Sequence, residues 1–166
     1  MGNRKIILNE KQLKYINSIS HGTKLKSYLK KIDPKFTDFN KFIIAFEETI
    51  ENKLRIKKSN NYSFDDLVFE SIISRLELLN KYKKTCIRIF LECQKHNNYF
   101  LTLSIYLNKY FSNYSQNYLV KYYLITTYGI IFQIWIEDDE SMDKVMSSLG
   151  KFIEITNKIK SFIIKW

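Results

Sequence analysis

Few side chains in this sequence are of types that perform metal or nucleophilic chemistry. The chain has two histidines, His21 and His96, and two cysteines, Cys86 and Cys93. Neither histidine has a carboxylate or a cysteine at the spacing of a metal site or a catalytic triad. The cysteines share one apolar stretch, which is typical of core thiols and not of a disulfide framework. We therefore predict no metal site, no cofactor and no enzymatic activity.

An acidic cluster at residues 137–140 is the one group that could hold a divalent cation. It falls between two predicted helices, where Ser141 is placed to act as the N-cap of the second. We therefore interpret the cluster as a solvated, helix-capping turn. No glycine-rich phosphate-binding motif is present, and four glycines in the whole chain could not build one.

The charge of the chain is strongly positive and uneven. There are 27 Lys and Arg against 17 Asp and Glu, a net charge of +10. Residues 1–58 hold 14 basic and 6 acidic side chains, and residues 59–166 hold 13 and 11. A basic segment favours a phosphate-bearing partner, either nucleic acid or an anionic membrane. AT-rich codon usage is the alternative, since Lys, Asn, Ile and Tyr supply 73 residues. Both explanations stay open.

The spacing of apolar residues is helical along nearly the whole chain. With only four glycines and one proline, tight turns between many short strands are not available, which excludes an all-β fold. We predict an all-α bundle of about eight helices. They are expected near residues 9–19, 22–31, 64–80, 82–96, 98–111, 117–137 and 141–165. One more, the third in chain order, carries Phe39, Phe42, Ile43, Phe46 and Ile50 and ends at a predicted loop over residues 53–61.

Capping residues support several of these helices. Thr37 or Asp38 can cap the third helix, and Ser63 with Asp66 resembles a capping box for the fourth. The last helix carries a long apolar stripe that we expect to be core: Met142, Val145, Met146, Leu149, Phe152, Ile153, Ile155, Ile159, Phe162 and Ile163.

A run without charge covers residues 122–136. It is shorter than the roughly 18–20 apolar residues that span a bilayer. We therefore predict that the helix at 117–137 is buried on all sides at the centre of the bundle.

Two regions resemble the TetR-like helical family, and most closely its Coq-nine branch. Residues 64–83, with Arg75 among them, resemble the helix that enters the ligand-binding half. Tyr128, residues 135–141 and residues 145–149 resemble the ending of the branch. The similarity extends over residues 36–165.

The resemblance implies two regions: a shortened N-terminal part at 1–36, with a degenerate helix-turn-helix, and a ligand-binding-type bundle at 37–166. Asp33 and Pro34 interrupt the segment where a recognition helix would stand. Val145 and Gly150 depart from the Thr and Asp of the branch. Asn117 and Tyr118 replace its aromatic pair.

The resemblance also implies a function. The protein is expected to be a non-enzymatic lipid-binding accessory protein of ubiquinone biosynthesis, which binds an isoprenoid or quinone-like lipid and presents it to a partner hydroxylase. It would act peripherally at a membrane, in the cytoplasm at the inner membrane or in the mitochondrial matrix. The lipid-binding residues are predicted on two helices rich in rings: Phe100, Leu103, Leu107, Tyr122, Ile125, Tyr128 and Phe132. That these rings are plain core is the alternative.

Two further surfaces are predicted. Asn117, Tyr118 and Lys121 would contact the partner enzyme. The basic, apolar end of the chain would meet the membrane surface through Lys158, Phe162, Lys165 and Trp166. A TetR-type transcriptional regulator and a helical interaction bundle without a ligand stay open as alternative functions. A homodimer is also left open, and specific DNA binding is not expected.

Overall fold

The computed structural model describes residues 6–19, 28–54, 63–139 and 141–163. Within them the chain forms eight α-helices and no strand, which confirms the predicted all-α bundle. The helices are α1 (Glu10–Ser18), α2 (Leu29–Ile32), α3 (Phe39–Lys53), α4 (Phe64–Asn80), α5 (Lys83–Lys95), α6 (Asn97–Phe111), α7 (Tyr118–Glu137) and α8 (Asp143–Ile163).

Local capping starts several of these helices where the sequence predicts. The carboxylate of Asp38 accepts a hydrogen bond from the Lys41 N–H at 2.9 Å and caps α3. At α4, the Ser63 hydroxyl accepts from the Asp66 N–H at 3.2 Å, while the Asp66 carboxylate accepts from the Ser63 N–H at 3.3 Å. Both caps satisfy N–H groups that have no partner within the helix.

The chain divides into two compact units, each built from two separate stretches of sequence. The first unit is Met1–Arg55 with Leu78–Tyr110, and the second unit is Ile56–Glu77 with Phe111–Trp166. The first unit holds 18 basic and 7 acidic residues, a net charge of +11, and the second holds 9 and 10, a net charge of −1. The positive charge of the protein therefore belongs to the first unit. The predicted division at residue 36 stays a prediction.

Aromatic rings make up much of the core of the first unit. The Phe36 ring lies edge-on to the Phe42 ring at 5.8 Å, and Phe39 on α3 contacts Tyr99 on α6 at 5.1 Å between ring centroids. Edge-on and tilted contacts of this kind are the preferred geometry of aromatic pairs. They fix α6 against α3.

In the second unit, α8 packs through only part of its predicted stripe. Met142, Val145 and Leu149 are buried, as expected. Met146 and Ile155 are exposed, so their assignment to the core is wrong. A buried face covers about one side of a helix, and Ile155 lies about 120° around the helix from Leu149, outside the face of Met142 and Val145.

The helix α7 is buried on one side only, and the prediction that it is buried all round is wrong. Its buried residues are Leu124, Thr127, Tyr128, Ile131 and Trp135. Its exposed large apolar residues are Tyr118, Leu119, Tyr122 and Ile130. A lack of charge does not require burial, because an apolar face can remain exposed.

The helix α7 is also longer than the uncharged run at residues 122–136, whose short length argued against a membrane span. Its 20 residues are long and apolar enough to cross a membrane by length and composition, and 28% of its most apolar window is buried.

The start of α8 differs from the prediction for Ser141. The helix begins at Asp143, so Met142, with φ of 61°, holds the N-cap position. The capping acceptor comes from further back, where the carboxylate of Asp138 accepts from the Val145 N–H at 2.9 Å. The Ser141 hydroxyl accepts from the Asp143 N–H at 3.3 Å and lies 2.6 Å from the Asp139 carboxylate, to which it donates. Ser141 therefore lies one position before the N-cap, but its hydroxyl and the Asp138 carboxylate both cap the helix.

Candidate functional site

The second unit contains a buried arginine that is hydrogen-bonded to a tyrosine. Arg75 lies on the inner face of α4, where Ile72 and Leu76 are also buried. Its Nε donates to the phenol oxygen of Tyr128 on α7 at 3.2 Å. The guanidinium carbon lies 5.6 Å from the centroid of the Tyr128 ring. Sequence reasoning singled out both residues for the resemblance but did not pair them.

Aromatic rings continue from this pair along α7. Tyr128 contacts Phe111 and Phe132, each at 5.7 Å between ring centroids, and Phe132 contacts Trp135 at 5.2 Å. We call Phe111, Tyr128, Phe132 and Trp135 the aromatic ladder. Phe111, Tyr128 and Trp135 are buried and Phe132 is half-buried, so the ladder is an apolar part of the interior with the Arg75–Tyr128 hydrogen bond at one point along it.

Thr127 adds an unsatisfied polar group to the same region of α7. Its side chain is completely buried, and its hydroxyl has no hydrogen-bond partner within the described part of the chain. The neighbouring Thr126 behaves normally, since it is exposed and donates to the Tyr122 carbonyl at 2.9 Å. A buried hydroxyl without a partner destabilises a fold by about 1–3 kcal/mol. Thr127 is therefore a buried donor without a partner among the described residues.

The seven predicted lipid-binding residues fall in both units. Phe100, Leu103 and Leu107 lie on α6 of the first unit, and Tyr122, Ile125, Tyr128 and Phe132 lie on α7 of the second. Phe100 and Tyr122 are 59% and 65% exposed, so their rings lie at the surface and not in an interior. Leu103, Leu107 and Ile125 are half-buried. The ladder contact joins Tyr128 to Phe132.

The predicted partner surface lies at the start of α7. Asn117 caps this helix, because its side-chain oxygen accepts from the N–H groups of Leu119 at 2.9 Å and Val120 at 3.3 Å. Tyr118 is exposed, and the Lys121 ammonium donates to the Ser112 hydroxyl at 3.5 Å. Of the three residues, Tyr118 is thus the one whose side chain is most available to a partner.

The predicted membrane contact lies mostly outside the described residues. Lys158 is exposed and pairs with Glu154 at 2.7 Å on the surface of α8. Phe162 lies in the last turn of α8, but its side chain is outside the described part, as are Lys165 and Trp166. This surface stays a prediction.

The nucleophilic and metal-ligating residues form no site in the part of the chain that the structure describes. Cys86 and Cys93 are buried, as predicted, and form no disulfide. Burial raises the pKa of Cys93 to about 11, with the charges of Glu47 and Glu92 adding to the effect. Cys93 is therefore a protonated, poorly nucleophilic thiol at neutral pH. No group of three or more potential metal ligands occurs among these residues. His21 is outside the described part.

A cleft of about 380 Å³ lies where α5 meets α6 in the first unit. Its walls are Lys95, His96, Asn97, Asn98 and Tyr99. These side chains are mostly exposed and polar, and none belongs to the predicted lipid-binding set. The cleft therefore does not suit an apolar ligand.

A second buried arginine lies in the first unit, and sequence reasoning missed it. Arg88 on α5 is 5% exposed, and its Nη1 donates to the Ile16 carbonyl at 2.8 Å. Its Nε and Nη2 have no hydrogen-bond partner in the described residues. Burial lowers the pKa of the Arg88 guanidinium. Its position one turn after Thr85, on the apolar face of α5, is the signal that could have revealed it.

Comparison with known proteins gives no match for this chain. No protein-family model matches the chain, and no curated protein or solved structure matches it. The chain's own residues, together with the resemblance described above, are therefore the basis for assigning a function.

Proposed function

We propose that this protein is a non-enzymatic lipid-binding protein that holds an isoprenoid or quinone-like lipid in its second unit. The observation that carries the proposal is the buried Thr127 hydroxyl, which has no partner within the described residues and lies beside the aromatic ladder in sequence. A quinone ring carries carbonyl oxygens that accept hydrogen bonds, and its isoprenoid tail is apolar. Thr127 offers the donor, and the rings offer the apolar surface.

The energetics favour an apolar ligand at the ladder. An isoprenoid chain gains roughly 25 cal/mol for each Å² of apolar surface that it removes from water. Part of this gain is offset by the loss of ligand freedom on binding. A few isoprene units against Phe132 and its neighbours would therefore give useful affinity. Ile125, half-buried one turn before this region, would line the route.

The resemblance extends the proposal to a pathway. We infer that the protein serves ubiquinone biosynthesis by presenting its lipid to a partner hydroxylase at a membrane surface, in the cytoplasm or the mitochondrial matrix. The exposed ring of Tyr118 at the start of α7 supports a protein contact there. Exposed tyrosines of this kind are enriched at binding interfaces.

Lipid analysis of the purified protein tests the proposal. Solvent extraction and mass spectrometry should identify an isoprenoid or quinone-like lipid bound to the parent chain. Ile125→Trp should carry much less lipid, because the larger ring fills the space beside α7. Ile130→Trp is the matched control, since Ile130 lies on the same helix but is exposed. A parent chain that carries no lipid after mild purification would contradict the proposal.

One observation favours a second candidate, the transcriptional regulator. The first unit contains the N-terminal region and carries a net charge of +11, which suits contact with the phosphates of DNA. Of the described residues between α1 and α3, however, only the four of α2 are helical. We therefore expect duplex binding that is independent of sequence and lost at moderate salt. Specific binding to one duplex that survives competitor DNA would instead favour the regulator.

A further inference from the structure

Five of the seven carboxylates of the first unit are buried or paired with a lysine, and the net charge of the unit is +11. Glu47 and Glu48 are buried on α3. Three more carboxylates lie in ion pairs: Glu10 with Lys53, Glu51 with Lys109 at 2.6 Å, and Glu92 with Lys95 at 3.8 Å. The exposed lysines of the first unit therefore dominate its field.

One side of α6 packs on α3. Thr102 donates to the Asn40 side chain at 3.0 Å, Tyr106 donates to Glu48 at 3.3 Å, and Lys109 pairs with Glu51. These three residues of α6 are spaced by four and three positions, which places them on one face of the helix. The opposite side of α6 must therefore point away from α3.

Outside these contacts α6 exposes three large apolar residues, two of which, Leu101 and Ile105, lie one turn apart. Phe100, Leu101 and Ile105 are 59%, 61% and 59% exposed. The helix has no acidic residue, and its one charged residue is Lys109. An apolar face without carboxylates, on a unit of net charge +11, combines the two features by which amphipathic helices bind anionic membranes.

We propose that this face of α6, formed by Phe100, Leu101 and Ile105, is the docking surface for an anionic lipid bilayer. The apolar side chains enter the interface, and the lysines of the first unit meet the lipid phosphates. Contacts with nucleic acid phosphates would leave these apolar side chains in water. A second copy at this face would bring two units of charge +11 together, which opposes association. The inference rests on the proposed function, because a lipid-binding protein must reach its membrane.

Vesicle flotation of the full chain tests the docking surface. The parent should float with vesicles of phosphatidylcholine containing phosphatidylserine, and not with phosphatidylcholine alone. Raising the salt should weaken this binding, because it screens the lysines. The variant Leu101→Ser/Ile105→Ser should bind the anionic vesicles about tenfold less well, or worse, since it removes two inserted side chains.

A control variant separates this surface from apolar exposure in general. Leu119→Ser/Ile155→Ser changes two residues of similar exposure, 74% and 57%, in the nearly neutral second unit, and it should float like the parent. Circular dichroism shows whether both variants keep the parent fold. Flotation of the α6 variant equal to that of the parent, or equal loss in both variants, would overturn the inference. So would a parent that binds duplex DNA but no vesicle.

Different results would contradict the docking surface and the lipid site. The α6 variant should still copurify with lipid, because the changed residues lie outside the second unit. A parent that carries lipid but ignores anionic vesicles would overturn the docking surface alone. A parent that floats but carries no lipid would contradict the lipid-binding function alone.

Discussion

The Nε of Arg75 donates to the phenol oxygen of Tyr128 at 3.2 Å, although the two residues lie 53 positions apart. Both are buried, so this hydrogen bond links α4 to α7 inside the second unit. Burying a guanidinium costs free energy, and a hydrogen bond from one of its donors offsets part of that cost. The pair therefore joins α4 to α7 at Tyr128, a ring that also belongs to the aromatic ladder.

Tyr128→Phe should destabilise the protein while leaving the ring contacts in place. The change removes the acceptor of the Arg75 Nε, and we expect a loss of about 1–3 kcal/mol in the free energy of unfolding. Urea denaturation measures it. Tyr118→Phe is the control, because Tyr118 is exposed and should change the same quantity by less than about 0.5 kcal/mol. Equal effects at the two positions would show that the buried hydrogen bond is not important for stability.

Replacing Arg88 should stabilise the protein, in contrast to the change at Tyr128. Its Nε and Nη2 are buried without a partner in the described residues, and the Ile16 carbonyl also accepts from the Ile19 N–H at 3.3 Å. Arg88→Met therefore removes a poorly compensated charge without leaving that carbonyl unsatisfied. We expect the free energy of unfolding to rise by about 1–4 kcal/mol. A marked loss of stability in this variant would mean that the guanidinium is compensated after all.

The protein should lose stability in alkali through two groups of the first unit. Burial raises the pKa of Cys93 from 9.0 to about 11, and burial with the nearby Glu48 raises that of Tyr106 from 10.0 to about 12. In both cases the folded state holds its proton more tightly than the unfolded state. The resulting stability is complete below about pH 9 and is lost as the pH rises through the folded values.

Urea midpoints between pH 8 and pH 11 measure this loss. Cys93→Ala should make the dependence on pH shallower, because the variant has no thiol to ionise at this position. An unchanged slope in the variant would contradict the assignment to Cys93.

Much of the fold follows from local sequence. The fourth helix is found at Phe64–Asn80, as predicted, because its capping box lies next to its apolar stripe. Asp38 caps α3 for the same reason. Such signals need only residues a few positions apart, and a single sequence contains them in full.

Features that depend on contacts between distant parts of the sequence could not be predicted in this way. The uncharged run of α7 has no polar side that tells which face packs, so the exposed positions of Tyr122 and Ile130 went unpredicted. Asp138 caps α8 from seven positions away, which a local capping rule misses. The division into two units also depends on segments that are distant in sequence. The sequence predicted Tyr128 and Phe132 in one site, but the contacts of these rings with Phe111 and Trp135 depend on the fold.

The lipid content of two threonine variants tests the central claim most directly. Thr127→Val removes the buried hydroxyl that lacks a partner, and Thr126→Val makes the same change at the exposed neighbour. If Thr127 donates to a bound quinone-like lipid, Thr127→Val should copurify with several-fold less lipid than the parent, while keeping or raising its stability. Thr126→Val should carry as much as the parent. Equal lipid in both variants, or none in the parent, would contradict a lipid site at Thr127.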